Sequence, residues 1–176
     1  MTKEVAVRLR PALPQDRFRV RRWLADPGIA ASWGNAASAE AEISLALASE
    51  TALCRIVDRD RTPIGYAHAL EIGLWAAERP SDLPAGTWHI GYFLAVEDIC
   101  HVRTGAAVLA LLAAEVFATT LAVACSSVVS VKTETTARAY ERAGFRWRRI
   151  WNDRLLGPSW LMLRERPALD QMLSIK

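Results

Sequence analysis

A helix-like segment at residues 103–118 is apolar on nearly every side, and few folds can accommodate such a helix. Its run from Ala106 to Ala114 carries no charge, and Glu115 is the only charged residue in its interior. Strand-like segments precede it at 87–96 and follow it at 123–131. Because a helix without a polar face must be covered on more than one side, this strand–helix–strand unit predicts the centre of a layered domain.

The remaining apolar patterns predict further strands, including a hairpin early in the chain. Period-2 alternation and runs of branched residues mark them. The predicted strands are 5–10, 52–57, 64–72, 146–152 and 160–164, with turn-forming residues at 58–63. Residues 78–86 contain two prolines and a glycine, which predicts a loop.

Capping residues predict three further helices. One begins at Pro14 and ends before Asp26-Pro27-Gly28. A second is capped by Ser38. A third follows Thr133 as its N-cap and ends at Gly144, which suits the left-handed C-terminal position. The order of elements predicts a mixed α/β domain, with helices on both faces of a mixed sheet.

Composition predicts one soluble domain spanning residues 1–176. Apolar residues make up 52% and charged residues 23%, which excludes disorder. The net charge of +3 gives little support to a nucleic-acid partner. We expect no membrane association, because no apolar run approaches the roughly 20 residues of a span and the N-terminus lacks a signal-peptide core. The three cysteines are unclustered, so we expect no disulfide framework, no metal site and a cytoplasmic location.

The segment Tyr140-Glu141-Arg142-Ala143-Gly144-Phe145 resembles the late helix of the GNAT acetyltransferases. The resemblance covers nearly the whole chain and points to the branch of aminoglycoside 6'-N-acetyltransferases and siderophore-pathway acyltransferases. The other segments that resemble this branch are Val7 to Pro11, Arg22 to Pro27, Pro63-Ile64-Gly65-Tyr66 and Trp88-His89-Ile90-Gly91. It implies the GNAT fold, a central mixed and mostly antiparallel sheet with helices on both faces. It also implies acetyl-CoA as cosubstrate and a primary amine of a small molecule as acceptor.

The resemblance places Tyr140 near the sulfur of the cosubstrate. Thr136 and Tyr140 are four residues apart and share a helical face. A phenol can protonate the departing coenzyme A thiolate; the alternative is a core tyrosine with a satisfied hydroxyl. Strand N–H groups near Leu94 and Ala95 are candidates to polarise the thioester carbonyl. The cofactor-binding candidates here are Leu94, Ala95, Val96, Thr133 and Thr136.

The loop expected to cradle the pyrophosphate departs from the family pattern. GNAT enzymes carry Q/R-x-x-G-x-G/A at this helix start, where backbone N–H groups and the helix dipole bind phosphate. The corresponding candidates are His101, Val102, Arg103, Thr104, Gly105 and Ala106. Neither of two alignments restores the pattern. Thr104 adds a side chain where phosphate should approach the backbone, so Thr104→Gly is expected to tighten binding if that side chain obstructs it.

A second departure is a missing carboxylate. In this branch an Asp on the central strand accepts the proton of the amine, and Gly91 stands in its place. The candidate substitutes are His89, Glu71, Glu97 and Asp98. His89 has a suitable ordinary pKa for a base near neutrality, and Glu71 is the second choice.

These features predict an acyl-CoA-dependent N-acyltransferase that works by direct attack of the amine in a ternary complex. Aminoglycosides are disfavoured as acceptors, because the expected lid at 75–86 offers only Glu78 and Asp82 to a polycation. The rival hypothesis is a catalytically degenerate GNAT-fold protein with a binding or assembly role. The degenerate cofactor loop and the missing carboxylate favour that rival, and the apolar helix from Ala106 to Ala118 could hide an oligomer surface, such as that of a homodimer.

Overall fold

A computed structural model describes residues 6–75, 80–96 and 101–168. Within these ranges seven strands form one sheet in the order β1-β2-β3-β4-β5-β7-β6. The strands are β1 (Val7–Pro11), β2 (Leu53–Arg59), β3 (Thr62–Glu71), β4 (Thr87–Leu94), β5 (Ala124–Ser130), β6 (Arg146–Asp153) and β7 (Gly157–Glu165). Only β4 and β5 pair in parallel, and the other neighbours are antiparallel. The predicted mixed, mostly antiparallel sheet is confirmed.

Helices cover both faces of this sheet, as predicted. The helices are α1 (Asp16–Leu24), α2 (Pro27–Ala31), α3 (Ala36–Ala48), α4 (Ile72–Trp75), α5 (His101–Thr119) and α6 (Glu134–Arg142). On one face α1 and α3 bury apolar side chains against strand residues such as Tyr66 and Phe93. On the other face α5 and α6 pack over strand residues such as Ala67 and Ile90.

Helix α5 lies at the centre of the second face. Its 19 residues are long and apolar enough to pass for a membrane span by composition. In the fold it packs against α6, β1, β3 and β4, and Leu109 and Leu112 are fully buried. Leu111 points outward and is 44% exposed. The expectation that this helix is covered on more than one side is confirmed.

The helix starts differ from the predicted caps. Asn35, not Ser38, caps α3, and its Oδ1 accepts the N–H of Ser38 at 2.9 Å. Asp26 accepts the N–H of Gly28 at 2.8 Å and so starts α2 where the sequence predicted only a stop. Thr133 occupies the N-cap position of α6 as predicted, but its hydroxyl donates to the carbonyl of Ser130 and accepts no N–H of the helix. Several residues near a helix start are able to cap it, and tertiary packing selects the one that does.

Two turns fix the ends of neighbouring elements. The hairpin between β2 and β3 needs only Asp60 and Arg61, which adopt positive φ angles of 49° and 68°, so the predicted turn at 58–63 is too long. Gly144 has a φ of 89°, the left-handed conformation predicted for it, and Phe145 beyond it is fully buried.

Strands β4 and β5 pair only at their beginnings and then diverge. Their register runs from Thr87↔Ala124 to His89↔Ser126. Past this point each strand continues, β4 alongside β3 and β5 alongside β7. The divergence leaves unpaired strand edges inside the sheet, and backbone groups there are available to a ligand.

Candidate active site

The divergence of β4 and β5 opens into a cavity of about 770 Å³. Residues of β4, β5 and α6 line one part of it, and residues from α2, α3 and the loops near them line another. The cavity therefore joins the interior edge of the sheet to the face that carries α1–α3. Such a volume is typical of small-molecule sites.

The structure brings most of the predicted site residues to this cavity. Its lining includes His89, Leu94, Ala95, Val96, His101, Thr133, Thr136 and Tyr140. They come from β4 and the two residues after it, from α6 and the residue before it, and from the first residue of α5, up to 51 positions apart in the chain (140 − 89). Their roles remain predictions, but their convergence on one cavity is a property of the fold.

Other predicted residues lie elsewhere. Glu71 pairs with Trp88 while Leu70 pairs with His89, and successive strand residues face opposite sides. Glu71 therefore lies on the opposite face from His89 and outside the cavity lining, so the structure does not support it as a base. Val102, Arg103, Thr104, Gly105 and Ala106 also lie outside the lining. Glu78, Glu97 and Asp98 lie outside the described residues.

The start of α5 is tightly packed against the sheet. Thr104 is 7% exposed, and its hydroxyl lies 3.5 Å from Nη2 of Arg59. A Cβ on Gly105 would lie 2.3 Å from the Tyr92 hydroxyl oxygen. Gly105 is thus required for the approach of α5 to β4. Thr104 lies outside the described cavity lining, so the expectation that its side chain obstructs phosphate remains a prediction.

Tyr140 is buried where α6 crosses the divergence. Its hydroxyl donates to the carbonyl of Ile90 at 3.0 Å. Burial raises the pKa of Tyr140 well above its ordinary value, although a hydrogen bond with Ser127 opposes this. The phenol is therefore protonated at neutral pH and can donate a proton. The Ile90 contact also satisfies it as a core tyrosine, so both interpretations of Tyr140 stay open.

The two strand amides predicted to polarise the thioester differ in availability. The N–H of Ala95 donates to the carbonyl of Ile64 at 2.7 Å and belongs to the β3–β4 ladder. Because backbone groups alternate in direction along a strand, the N–H of Leu94 points the other way, toward the divergence. Leu94 is the better-placed donor of the two.

Sequence reasoning missed a polar cluster that joins α3 to the sheet. Oε1 of Glu42 lies 3.0 Å from Nε2 of His68 and 3.6 Å from Nε2 of His89. The three atoms lie within 4.8 Å of one another, so one cation could contact all of them. Glu42 Oε1 and His68 Nε2 are buried without a hydrogen-bond partner among the described residues. Helical and strand spacing placed Glu42 and His68 on separate elements, and no sequence signal connected them.

The protonation of Glu42 and His89 at neutral pH follows from their pKa shifts. Burial by itself would raise the pKa of Glu42. The close contact with His68 and the charges of His68 and His89 have a larger opposite effect, so the pKa of Glu42 is lowered to about 2. Burial lowers the pKa of His89. The charge of His68 lowers this pKa further, whereas the charge of Glu42 raises it. At neutral pH the site therefore holds a carboxylate beside a neutral imidazole.

Trp33 explains why β4 carries no carboxylate at position 91. A Cβ on Gly91 would lie 3.1 Å from Cη2 of Trp33 and 3.4 Å from Nε2 of His89. Trp33 is held edge-on against His68, with ring centroids 4.9 Å apart. The indole thus lies in the space beside the strand, and a side chain at this position would require the Trp33 ring to shift slightly.

The cavity lining is acidic. Asp26, Glu42 and Asp153 contribute carboxylates, and no lysine or arginine lines the cavity in the described part of the chain. Asp82 of the expected lid is instead paired with Arg149 at 2.6 Å. The acidic groups that a cationic ligand would meet in the described lining therefore come from α3, the start of α2 and the end of β6, and none of them comes from the expected lid.

Comparisons with known proteins agree with this fold. Residues 12–152 match the sequence profile described as the acetyltransferase (GNAT) domain. The chain is similar to aminoglycoside acetyltransferase AAC(6')-Ib in complex with coenzyme A, with 23% identity and a TM-score of 0.80, covering 96% of this chain and 100% of that one. It is also similar to an aminoglycoside N(6')acetyltransferase from Legionella pneumophila, with 16% identity and a TM-score of 0.71, covering 92% and 93%. No curated protein sequence matches the chain significantly.

Proposed function

Because this chain belongs to the GNAT acetyltransferase family, and is therefore an acetyl-CoA-dependent N-acetyltransferase, we propose that it acetylates a primary amine on a small polycationic molecule. The observation that carries this proposal is the acidic cavity at the β4–β5 divergence. The reaction is a direct attack of the amine on the thioester in a ternary complex.

The divergence suits the thioester arm of acetyl-CoA. The pantetheine lies between β4 from Ile90 to Val96 and β5 from Ser126 onward, where strand pairing has ended. There it can use backbone groups that no neighbouring strand occupies, as a β-strand ligand does. The N–H of Leu94 faces the thioester carbonyl and stabilises the oxyanion that develops on it. Thr133 and Thr136 of the α6 start border the same opening.

The acceptor enters from the side of α2 and α3. Glu42, Asp26 and Asp153 line this part of the cavity without a compensating basic side chain in the described lining. Cationic ligands are steered into a cleft lined by one sign of charge. An acceptor with several ammonium groups fits this lining better than a monoamine or an amino acid. Amino sugars of the aminoglycoside class are therefore the first acceptors to test.

Tyr140 is placed to protonate the leaving group. As the C–S bond breaks, the thiolate needs a proton, and the Tyr140 hydroxyl at the divergence supplies it when it turns from the Ile90 carbonyl toward the sulfur. Burial raises the pKa of Tyr140, so the phenol carries its proton at neutral pH, and the same exclusion of water raises the basicity of the thiolate that receives it. Solvent then restores it.

A free-thiol assay with acetyl-CoA tests the proposal. The panel contains aminoglycosides, polyamines, monoamines and acidic amino acids at equal concentration. We expect thiol release with the polycations and little with the acidic amines. Calorimetry with coenzyme A and thermal shift, which reports binding by mass action, are run in parallel. Absence of both coenzyme A binding and turnover would favour the binding or assembly alternative.

A further inference from the structure

The Glu42–His68–His89 cluster contains a buried acceptor oxygen without a well-aligned donor. The nearest donor to Glu42 Oε1 is His68 Nε2 at 3.0 Å, but this contact lacks the alignment of a full hydrogen bond, and the Glu42 side chain as a whole is 40% exposed. A buried carboxylate oxygen without a well-aligned donor is costly. A ligand that brings only donors, such as an ammonium group, removes that cost.

The geometry of the cluster fits an ammonium nitrogen. Glu42 Oε1 and His89 Nε2 are 3.6 Å apart, too far for a hydrogen bond with each other. A nitrogen seated between them can lie about 2.9 Å from both and donate one hydrogen to each. Both residues line the cavity, whereas His68 is completely buried behind them.

We propose that Glu42 binds the ammonium group of the acceptor and that His89 takes the proton which this group must lose before attack. His68 is a positioning residue, because its imidazole lies 3.0 Å from the Glu42 carboxylate and holds it toward the cavity. This inference rests on the proposed function and deepens it. It moves the carboxylate of the acceptor site from the strand at position 91 to helix α3.

The charges of the cluster agree with these roles. Glu42 is ionised over the whole physiological range, since its pKa is about 2. His89 is neutral at pH 7, because burial lowers its pKa below the ordinary value of 6.5. The titratable groups that bear on His89 are Glu42 of α3 and His68 of β3. The adjacent carboxylate stabilises the imidazolium that forms when His89 takes the proton.

The protons and electron pairs balance in this scheme. The ammonium gives one proton to His89, and the freed lone pair of the nitrogen attacks the acetyl carbonyl. The tetrahedral intermediate collapses, the C–S bond breaks and its electron pair leaves on sulfur. The new amide nitrogen loses its second proton to solvent, the thiolate gains a proton from Tyr140, and solvent reprotonates the Tyr140 phenolate. His89 releases its proton to solvent.

Steady-state kinetics of Glu42→Gln test the inference, with Glu40→Gln as the matched control. Glu40 lies on the same helix, pairs with Arg21 at 2.8 Å and is outside the cavity. We expect Glu42→Gln to lower kcat/KM for the amine by about 10- to 100-fold, as expected for a hydrogen bond to a charged group. The KM for acetyl-CoA and the binding of coenzyme A remain unchanged. Glu40→Gln behaves as wild type.

The positioning role of His68 has a separate readout. His68→Gln is expected to raise the KM for the amine more than it lowers kcat, and to leave coenzyme A binding intact. A purely structural His68 would instead weaken amine and coenzyme A binding together. If Glu42→Gln folds poorly, Glu42→Asp keeps the charge one methylene shorter, and a partial loss confined to the amine KM supports the assignment.

Three outcomes distinguish the possible failures. Wild-type turnover with an unchanged kcat/KM in Glu42→Gln would overturn this inference alone. A wild type that turns over none of the amines would overturn the proposed function as well. Loss of wild-type turnover on addition of EDTA would show that the cluster holds a metal ion, which would also overturn the assignment of an ammonium site.

Discussion

The two faces of the sheet treat their buried polar groups differently. On the α5–α6 face, the Tyr140 hydroxyl donates to Ile90, and the Thr104 hydroxyl lies beside Arg59. On the α1–α3 face, Glu42 Oε1 and His68 Nε2 have no hydrogen-bond partner in the described chain. Buried polar groups are normally satisfied, and exceptions require an explanation. The contrast indicates that the buried hydroxyls named on the α5–α6 face stabilise the fold, whereas the Glu42–His68 pair on the α1–α3 face is available to bind a ligand.

Tyr140 is the strongest test of this contrast, because it belongs to the supporting face yet borders the cavity. If it protonates the thiolate, Tyr140→Phe should lower turnover by about 100- to 10,000-fold, the usual contribution of general-acid catalysis. The loss of the hydrogen bond to Ile90 should cost about 1 kcal/mol of stability whichever role Tyr140 has, so turnover is the measurement that distinguishes them. Turnover is measured by thiol release with an active acceptor, and stability by thermal unfolding.

The opposite result for Tyr140→Phe would sharpen the contrast. A structural tyrosine would lose about 1 kcal/mol of unfolding free energy with its hydrogen bond to Ile90, and turnover would remain. Solvent would then protonate the thiolate.

Gly105→Ala tests whether the α5–α6 face is purely structural at the helix start. The new Cβ would lie 2.3 Å from the Tyr92 hydroxyl oxygen, so either α5 or Tyr92 must shift. Overpacking of this kind costs about 1–3 kcal/mol, which chemical denaturation measures. The control Ala118→Ser, on the exposed side of α5, should change stability by less than about 0.7 kcal/mol. Equal stability of the two variants would contradict the packing argument.

Thr104→Gly tests the sequence-based prediction that this side chain obstructs the phosphate site. Because Thr104 is 7% exposed and lies outside the described cavity lining, the variant should not bind coenzyme A more tightly in calorimetry. It should lose about 1 kcal/mol of stability through the missing hydroxyl contact and the flexibility of glycine in a helix. Tighter binding would mean that the threonine side chain does restrict the phosphate site.

The acid stability of the α1–α3 face gives the smallest expected effect. The pKa of Glu42 falls from 4.5 in the unfolded chain to about 2 in the fold. Its contribution to stability is therefore complete above pH 4.5 and is lost as the pH falls toward 2. With the side chain 40% exposed, solvent screening limits this contribution to less than about 1 kcal/mol. Glu42→Gln should flatten the pH dependence of unfolding in this window, and an unchanged profile would argue against the ion pair.

Local sequence patterns predicted most of the helices and strands and several residues that line the cavity. Period-2 and helical patterns, the apolar helix at 103–118 and Gly144 are local signals, so the strands, α5 and the end of α6 were predicted from them. The late-helix motif identified the fold, and the structure brought Tyr140, Thr136 and Leu94 to one cavity. Local signals sufficed here because hydrophobic periodicity and backbone conformation depend mainly on residues close in the chain.

The arrangement of the residues around the proposed amine-binding part of the cavity depends on tertiary packing. The sheet register put Glu71 on the wrong face and His89 on the right one, a difference that one residue of register reverses. The packing of α3 carried Glu42 to within 3.0 Å of His68, a residue 26 positions later (68 − 42). Trp33 closed the space at Gly91 from a loop that no strand pattern connects to it. These contacts depend on how separate elements pack, and a single sequence carries no periodic signal for such packing.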